Sequence, residues 1–293
     1  MPSKPSFGRV ALIGKLGTPE IAPSLRELTA FLKGRGCEVL IEKDTAAEFA
    51  ERGLDYGALG AKANLAVVIG GDGTMLAAAR NLVRHQVPLV GVNQGRVGFM
   101  TDIGHGDMRQ GLGAILDGNY TTEDRALLDA EIVRGSESVL RTLALNEAVV
   151  TRGSQGRLIE FELSLDGEFV YTLRADGVII ATPTGSTAYS LSAQGPILHP
   201  AVPALALVPL NPHTLSARPV SVSEAAKVEI VLTHALDARA HFDGLALADL
   251  QEGDRLVLQR SADAVRFIHP PGYSYFATLR EKLGWSEVRG KPE

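Results

Sequence analysis

The sequence predicts an open, doubly wound α/β domain, Rossmann-like in layout, followed by a mostly-β, sandwich-like domain. Three observations carry this. Apolar runs and helical stripes alternate from the N-terminus to about residue 120, the pattern of a parallel sheet flanked by helices. A glycine cluster, Gly70-Gly71-Asp72-Gly73-Thr74, joins an apolar, β-branched run to an Ala/Leu-rich one, which makes it a strand-to-helix turn. From about Thr121 the helical stripes stop and short alternating runs begin. The division that follows is 1–120 for the α/β domain, with 271–293 available to complete it, and 121–270 for the mostly-β domain.

The elements follow in order. Arg9 to Ile13 (RVALI) is the first strand, and a loop with Gly14, Gly17 and Pro19 comes next. Ile21, Leu25, Leu28 and Leu32 form the stripe of an amphipathic helix that ends at Gly34 and Gly36. Glu38 to Ile41 is a second strand, and a short helix is expected around Ala46 to Arg52. Leu65 to Ile69 is the third strand. The glycine turn then leads into a helix over Met75 to Arg84, and Pro88 to Val92 is the fourth strand. Asn93 to Met100 (NQGRVGFM) is a loop at the carboxyl edge of the sheet, where open α/β folds bind ligands. Met108, Leu112, Ile115 and Leu116 mark a further helix, ended near Gly118.

In the second half, Phe161, Leu163 and Leu165 alternate with polar residues. Asp166-Gly167 separates them from Phe169 to Leu173, a hairpin signal. Asp176 to Thr182 contains an apolar strand, and Lys227 to Thr233, Ala240 to Phe242 and Arg255 to Gln259 are others. Arg280 to Trp285 is a short closing element.

The chain's 293 residues suit about two domains. With 29 basic and 34 acidic residues and no basic block, nucleic acid is not an expected partner. The single cysteine, Cys37, cannot form an internal disulfide and is expected to fill core space. The first eight residues lack a signal-peptide core, and no apolar run approaches the length of a membrane span. The expected location is therefore the cytoplasm, with no membrane partner.

The turn at Gly70 to Thr74 carries the chemistry. Glycine admits positive φ and close approach of a ligand to the backbone. The amides around Gly71, Gly73 and Thr74, at a helix N-terminus, suit a phosphate. Asp72 would repel that phosphate unless it has another task. It can serve as a general base for a hydroxyl, anchor Mg²⁺, or simply cap the helix. A second turn, Pro183-Thr184-Gly185-Ser186-Thr187, follows the Asp176 strand and leads into Ala188 to Gln194. Its hydroxyls and helix-end amides suit a phosphate or a nucleoside, or form an ordinary cap. No P-loop, Rossmann Gly-x-Gly-x-x-Gly, Gly-x-Ser-x-Gly, zinc or EF-hand pattern occurs, and no metal ligands are assigned.

These residues resemble a known family. GGDGT is similar to a signature shared by NAD kinases, diacylglycerol-type lipid kinases and phosphofructokinases. The segment TPTGSTAYSLSAQGPI, Thr182 to Ile197, resembles bacterial NAD kinase of the proteobacterial type. So do Asn146-Glu147, the Gly14/Gly17 loop, NQGRVGFM, and HTLSARP at His213 to Pro219. The likeness runs through nearly the whole chain, in order.

The resemblance implies ATP- and Mg²⁺-dependent phosphorylation of the adenosine ribose 2′-hydroxyl of NAD. It implies Asp72 as the acid-base residue with Gly73 beside it, and Asn146 and Glu147 gripping the adenosine side. Thr184, Thr187, Ala188, Tyr189, Ser190, Leu191 and Ser192 would wrap adenine and ribose. Arg157, Arg174 and Asp176 would make further contacts, Asp176 toward the nicotinamide. Arg174 also resembles the residue associated with preference for NAD over NADH and with strict ATP use. A homodimer or homotetramer is implied too. Leu245 departs from the pattern, standing after His241-Phe242-Asp243-Gly244 where some relatives carry Gln.

Residue by residue, plainer roles stay open. Glu147 can be a solvated strand residue, Arg157 a surface group and Tyr189 core, and Arg174 and Asp176 can pair with each other. Two other functions compete, a non-catalytic NAD-binding regulator and a lipid or sugar kinase on the same turn. Asp72 weighs against the first, since a pure phosphate cradle gains nothing from its charge. The lack of a membrane-binding amphipathic stretch weighs against the lipid version.

Overall fold

A computed structural model describes residues 6–15, 21–47, 52–94, 98–154 and 157–285. The expected roles of Gly17 and Pro19, of residues 48–51 in a short helix, and of residues 95–97 in the NQGRVGFM loop lie outside these. The chain forms two units, 1–124 with 265–293, and 125–264.

The first unit contains β1 (Arg9–Gly14), α1 (Ile21–Gly34), β2 (Glu38–Ile41), α2 (Lys43–Ala47) and α3 (Tyr56–Lys62). It continues with β3 (Leu65–Ile69), α4 (Asp72–Leu82), β4 (Leu89–Asn93), β5 (Ile103–Gly104) and α5 (Met108–Leu116). The strands are parallel in the order β2-β1-β3-β4-β5. They read as continuous apolar runs because both faces are covered. Val10, Leu12, Val67 and Val90 pack with Leu25 and Leu28 of α1 and with Leu112 of α5. The order reverses between β1 and β3, so the Gly14 and Gly70 turns flank the switch point of the sheet, the place where such folds bind ligands. The expected Ala46 to Arg52 helix is α2, which starts earlier, at Lys43. The sequence reading missed α3, which holds two glycines and buries only Leu59 and Gly60, too little for a stripe.

The second unit is antiparallel. Its strands are β6 (Thr121–Arg134), β7 (Glu137–Ala144), β8 (Glu147–Arg152), β9 (Ile159–Leu165), β10 (Glu168–Ala175) and β11 (Gly177–Ala181). After the one-turn helix α6 (Tyr189–Ser192) come β12 (Ala204–Leu210), β13 (Val220–Ser223), β14 (Val228–His234), β15 (Ala238–Phe242), β16 (Leu245–Leu250) and β17 (Arg255–His269). One layer runs β10-β9-β14-β17 and the other β13-β12-β11-β8-β15-β16. Phe161, Leu163, Val228 and Ile230 from the first layer meet Val150, Val178, Ile180 and Phe242 from the second, a sandwich core. The Asp166-Gly167 turn has φ of 51° and 85°, as a two-residue hairpin requires. β6 starts, and β17 finishes, among first-unit residues. There Phe267 pairs with Leu89, and α7 (Tyr275–Leu283) follows with Ser274 as its cap. No described helix is long and apolar enough to cross a membrane.

Candidate active site

Each unit presents one set of residues, built separately. In the first, β3 delivers the chain into the glycine turn, pinned by Gly70 N–H to the Val92 carbonyl and Lys15 N–H to the Ile69 carbonyl, both at 3.0 Å. Gly71, not Asp72, is the N-cap of α4. Asp72 stands in the first helical turn and its carboxylate leaves its own helix alone. Its two oxygens accept from Phe99 N–H and Met100 N–H, each at 3.1 Å. The plain capping role open in the sequence is therefore not the one observed. Each oxygen keeps a further acceptor site after those two bonds.

The turn that holds Asp72 is itself tied. Thr101 Oγ1 accepts from Gly98 N–H and Asn93 Nδ2, each at 3.0 Å. A Cβ at Gly98 would collide with Asp72 Oδ1, so a larger residue there would push the carboxylate from its place. Of the two properties of glycine invoked for this turn, positive φ and close approach to the backbone, the first is not used. None of Gly70, Gly71 and Gly73 has positive φ. Only Gly70 is crowded, by the Thr74 side chain. A Cβ at Gly71 or Gly73 would meet nothing within 4 Å, so these two glycines leave the backbone open on the solvent side.

In the second unit, the bend between β7 and β8 carries Asn146 and Glu147. The Asp243 carboxylate, in the β15–β16 hairpin turn, accepts from Leu145 N–H at 3.1 Å and Asn146 N–H at 2.7 Å. Thr182 N–H donates to the Asn146 carbonyl at 2.8 Å. A Cβ at Gly185 would strike that same backbone. Three distant segments thus meet on one bend. Glu147 is 4% exposed and Asn146 7%, so Glu147 is no solvated strand residue. Asn146 Oδ1 and Glu147 Oε2 are buried with no hydrogen-bond partner. Two orphaned oxygens on consecutive residues call for a partner such as a sugar hydroxyl. Burial first, and then the Asp243 charge, push Glu147 up to about 7. Asp243 is the residue the sequence reading left out of the site. Its Asp-Gly pair signals a hairpin, which it forms with φ of 49° and 78°.

The Thr184 turn needs a second correction. Its hydroxyls are mostly spent internally: Ser186 Oγ bonds the Pro183 carbonyl at 2.6 Å and accepts from Leu198 N–H, and Thr187 Oγ1 donates to the Thr184 carbonyl. The following helix is four residues long, too short to offer the helix-end anion site foreseen for it. Thr184 is buried, Thr187, Ala188 and Leu191 are half-buried, and Ser192 is exposed. Tyr189 is 48% exposed, so it is not core. Ser190 is fully buried with its Oγ unpartnered.

The remaining candidates lie elsewhere on the unit. Arg157 is exposed. Arg174 and Asp176 do not pair with each other. Arg174 is 3.8 Å from Glu160, while Asp176 bonds Asn211 Nδ2 at 2.9 Å and the Arg152 guanidinium. Those two partners, Asn211 foremost, hold the Asp176 carboxyl below the usual carboxylate range. Leu245 is half exposed beside the Asp243 turn. Among the described residues, no group of three or more His, Cys, Asp or Glu side chains is placed to hold a metal.

Comparison with known proteins bears on both sets. Residues 10–120 match the ATP-NAD kinase N-terminal domain and residues 145–270 the ATP-NAD kinase C-terminal domain. The NAD kinase of Aromatoleum aromaticum is 56% identical over 291 residues, 98% of this chain and 97% of that one. The NAD kinase of Azoarcus sp. strain BH72 is 55% identical over 96% of this chain and 97% of its own. Among solved structures, yeast NADH kinase complexed with NADH superposes with a TM-score of 0.91 at 25% identity, covering 99% of this chain and 91% of that one. An NAD kinase from Archaeoglobus fulgidus in complex with ATP gives 0.74 at 24%, covering 94% and 98%, and speaks for the fold.

Proposed function

The chain belongs to the ATP-NAD kinase family, and from that premise we propose how its own residues carry out the transfer of a phosphoryl group from ATP to the adenosine ribose 2′-hydroxyl of NAD. The observation that carries the reading is the Asp72 carboxylate, fixed by two backbone amides of another segment and beside glycines whose faces are open. A carboxylate placed this way is preorganised for one task and costs no rearrangement during the reaction.

Asp72 accepts the proton of the 2′-hydroxyl as that oxygen attacks the γ-phosphorus in line. The new O–P bond forms, the bond from the γ-phosphorus to the bridging oxygen breaks, and ADP leaves. The open backbone around Gly71 and Gly73 faces the phosphates, while Gly70 and Thr74, whose N–H groups bond the Val92 and Gly71 carbonyls, hold the turn in shape. Asn146 and Glu147 accept hydrogen bonds from donors on the adenosine side of NAD, which their buried oxygens lack in the protein alone. Thr184 and the run Thr187 to Ser192 surround the adenosine. Arg157, Arg174 and Asp176 lie toward the rest of the dinucleotide, with Asp176 held in place by Arg152 and Asn211. Mg²⁺ bound with ATP would offset the charge of its phosphates. The working form is a homodimer or homotetramer in the cytoplasm.

Asp72→Asn tests the base. Turnover is expected to fall about 10²–10⁴-fold with NAD binding, read by calorimetry, within about twofold. Normal turnover in a folded variant removes Asp72 from the chemistry. A raised Mg²⁺ requirement in place of a lower plateau rate would assign Asp72 to the metal instead.

A further inference from the structure

The buried imidazole of His269 has no part in the reaction as written above, yet it sits at the foot of the turn that holds Asp72. We propose that His269 is a positioning residue for Asp72, acting through Asp102 on the amide pair of Phe99 and Met100. The proposal rests on the reading of Asp72 as the base.

His269 ends β17 and is 3% exposed. Its Nδ1 is 2.5 Å from Asp102 Oδ2 and its Nε2 is 3.2 Å from Glu123 Oε2. The Tyr273 ring stacks on it, with centroids 3.7 Å apart and planes 6° from parallel. Phe267 adds a second near-parallel ring at 6.4 Å. The ring can therefore neither turn nor leave without breaking those contacts. Carboxylates only accept, so both ring nitrogens must donate, and only the imidazolium does that. Burial alone pushes His269 down, but the bonds and charges of Asp102 and Glu123 outweigh it and hold it above its ordinary value. Among the described residues, Asp102, Glu123 and Tyr273 are the titratable groups placed against the ring, and the neighbouring Asp124 is paired with Arg266 at 2.7 Å.

The link to the chemistry is short. Asp102 follows Thr101, the hydroxyl that ties Gly98 to Asn93, and Phe99 and Met100 are the two donors to Asp72. Asp102 Oδ1 is buried without a hydrogen bond, so anchoring that side chain falls to His269. A neutral ring would turn a lone pair toward one of its two carboxylates, loosen Asp102 and let the 98–101 turn drift from Asp72. The clamp is complete while His269 is charged and is lost as pH rises through its raised pKa.

The test uses the full chain and three variants, His269→Gln, Glu123→Gln and Asp72→Asn, with melting curves to establish folding. For His269→Gln we expect kcat to fall at least tenfold, KM for ATP and NAD to stay within about twofold, and the alkaline fall of kcat expected in the parent to be absent. Hydrogen exchange in a peptide spanning 98–102 should quicken at least tenfold. Glu123→Gln removes one stabilising charge and should move the alkaline fall to lower pH. It serves if His269→Gln does not fold. A lower melting temperature with an unmoved alkaline limb and unchanged exchange at 98–102 assigns His269 to stability alone and overturns the proposal. Normal turnover in Asp72→Asn overturns the reading of Asp72 itself. Loss of turnover there alongside full kcat in His269→Gln overturns only the present inference.

Discussion

In Glu147 the cost of burial and the proposed grip on NAD fall on one carboxyl. Its burial keeps a proton on the folded chain up to about pH 7, where an exposed glutamate would have lost it. The neutral form is the one the fold tolerates. The raised pKa therefore lowers stability, by about 2–4 kcal/mol, as pH rises from the ordinary carboxyl range through about 7. The ionised form is the better acceptor for a ribose hydroxyl. The KM for NAD should therefore fall between about pH 6 and 8. In Glu147→Gln it should stay flat and about tenfold higher at pH 8, while the variant's melting temperature gains on the parent's as pH rises. Steady-state kinetics and melting curves at matched pH check both. A parallel pH slope in the two proteins refutes the assignment. The sequence offers Glu147 itself, but not its orphaned oxygen or its Asp243 neighbour, which is 96 residues away along the chain and is brought in only by the β15–β16 hairpin. The partners of Asp72, 27 and 28 residues away, are hidden for the same reason: backbone amides carry no mark in the sequence.

At the scale of elements, the glycines of the two turns have different duties. Gly185→Ala drives a methyl group into the Asn146 backbone, which cannot yield as a flexible side chain would. It should cost about 1–3 kcal/mol of stability and raise the KM for NAD along with it. Gly71→Ala meets open space, so melting should change by less than about 1 kcal/mol and the effect should appear in the KM for ATP. Equal behaviour of the two variants would contradict this division. The parallel strands β1 to β3 were legible because each is an apolar run between breakers. β8 and β12 were not. Glu147 to Val150 is buried without a break, which hides the alternation that marks a strand, and Pro209 sits inside β12. That proline is tolerated because β13 pairs only with Ala204 to Leu207, leaving the rest of β12 one neighbour. β17 ran ten residues beyond its expected end at Gln259, because Ser261 to Ala264 interrupts the apolar pattern while the ladder continues.

For the molecule as a whole, the first unit is completed by residues from the far end of the chain. Val265, Phe267, Ile268, Tyr275 and Leu279 are all under 8% exposed. At about 1.5–3 kcal/mol each, they contribute roughly as much as the net stability of a typical domain. A chain stopped after Ala264 should therefore lose the first unit while keeping the second. Limited proteolysis should then cut within 6–124 in minutes and leave a core near 125–264, and survival of 6–124 would contradict it. Chain growth on the ribosome gives this arrangement a temporal meaning. The Asp72 turn emerges early, yet the imidazole at its foot, His269, is made 197 residues later. Translation products interrupted before Val265 thus carry every residue of the glycine motif and none of the segment that closes their domain.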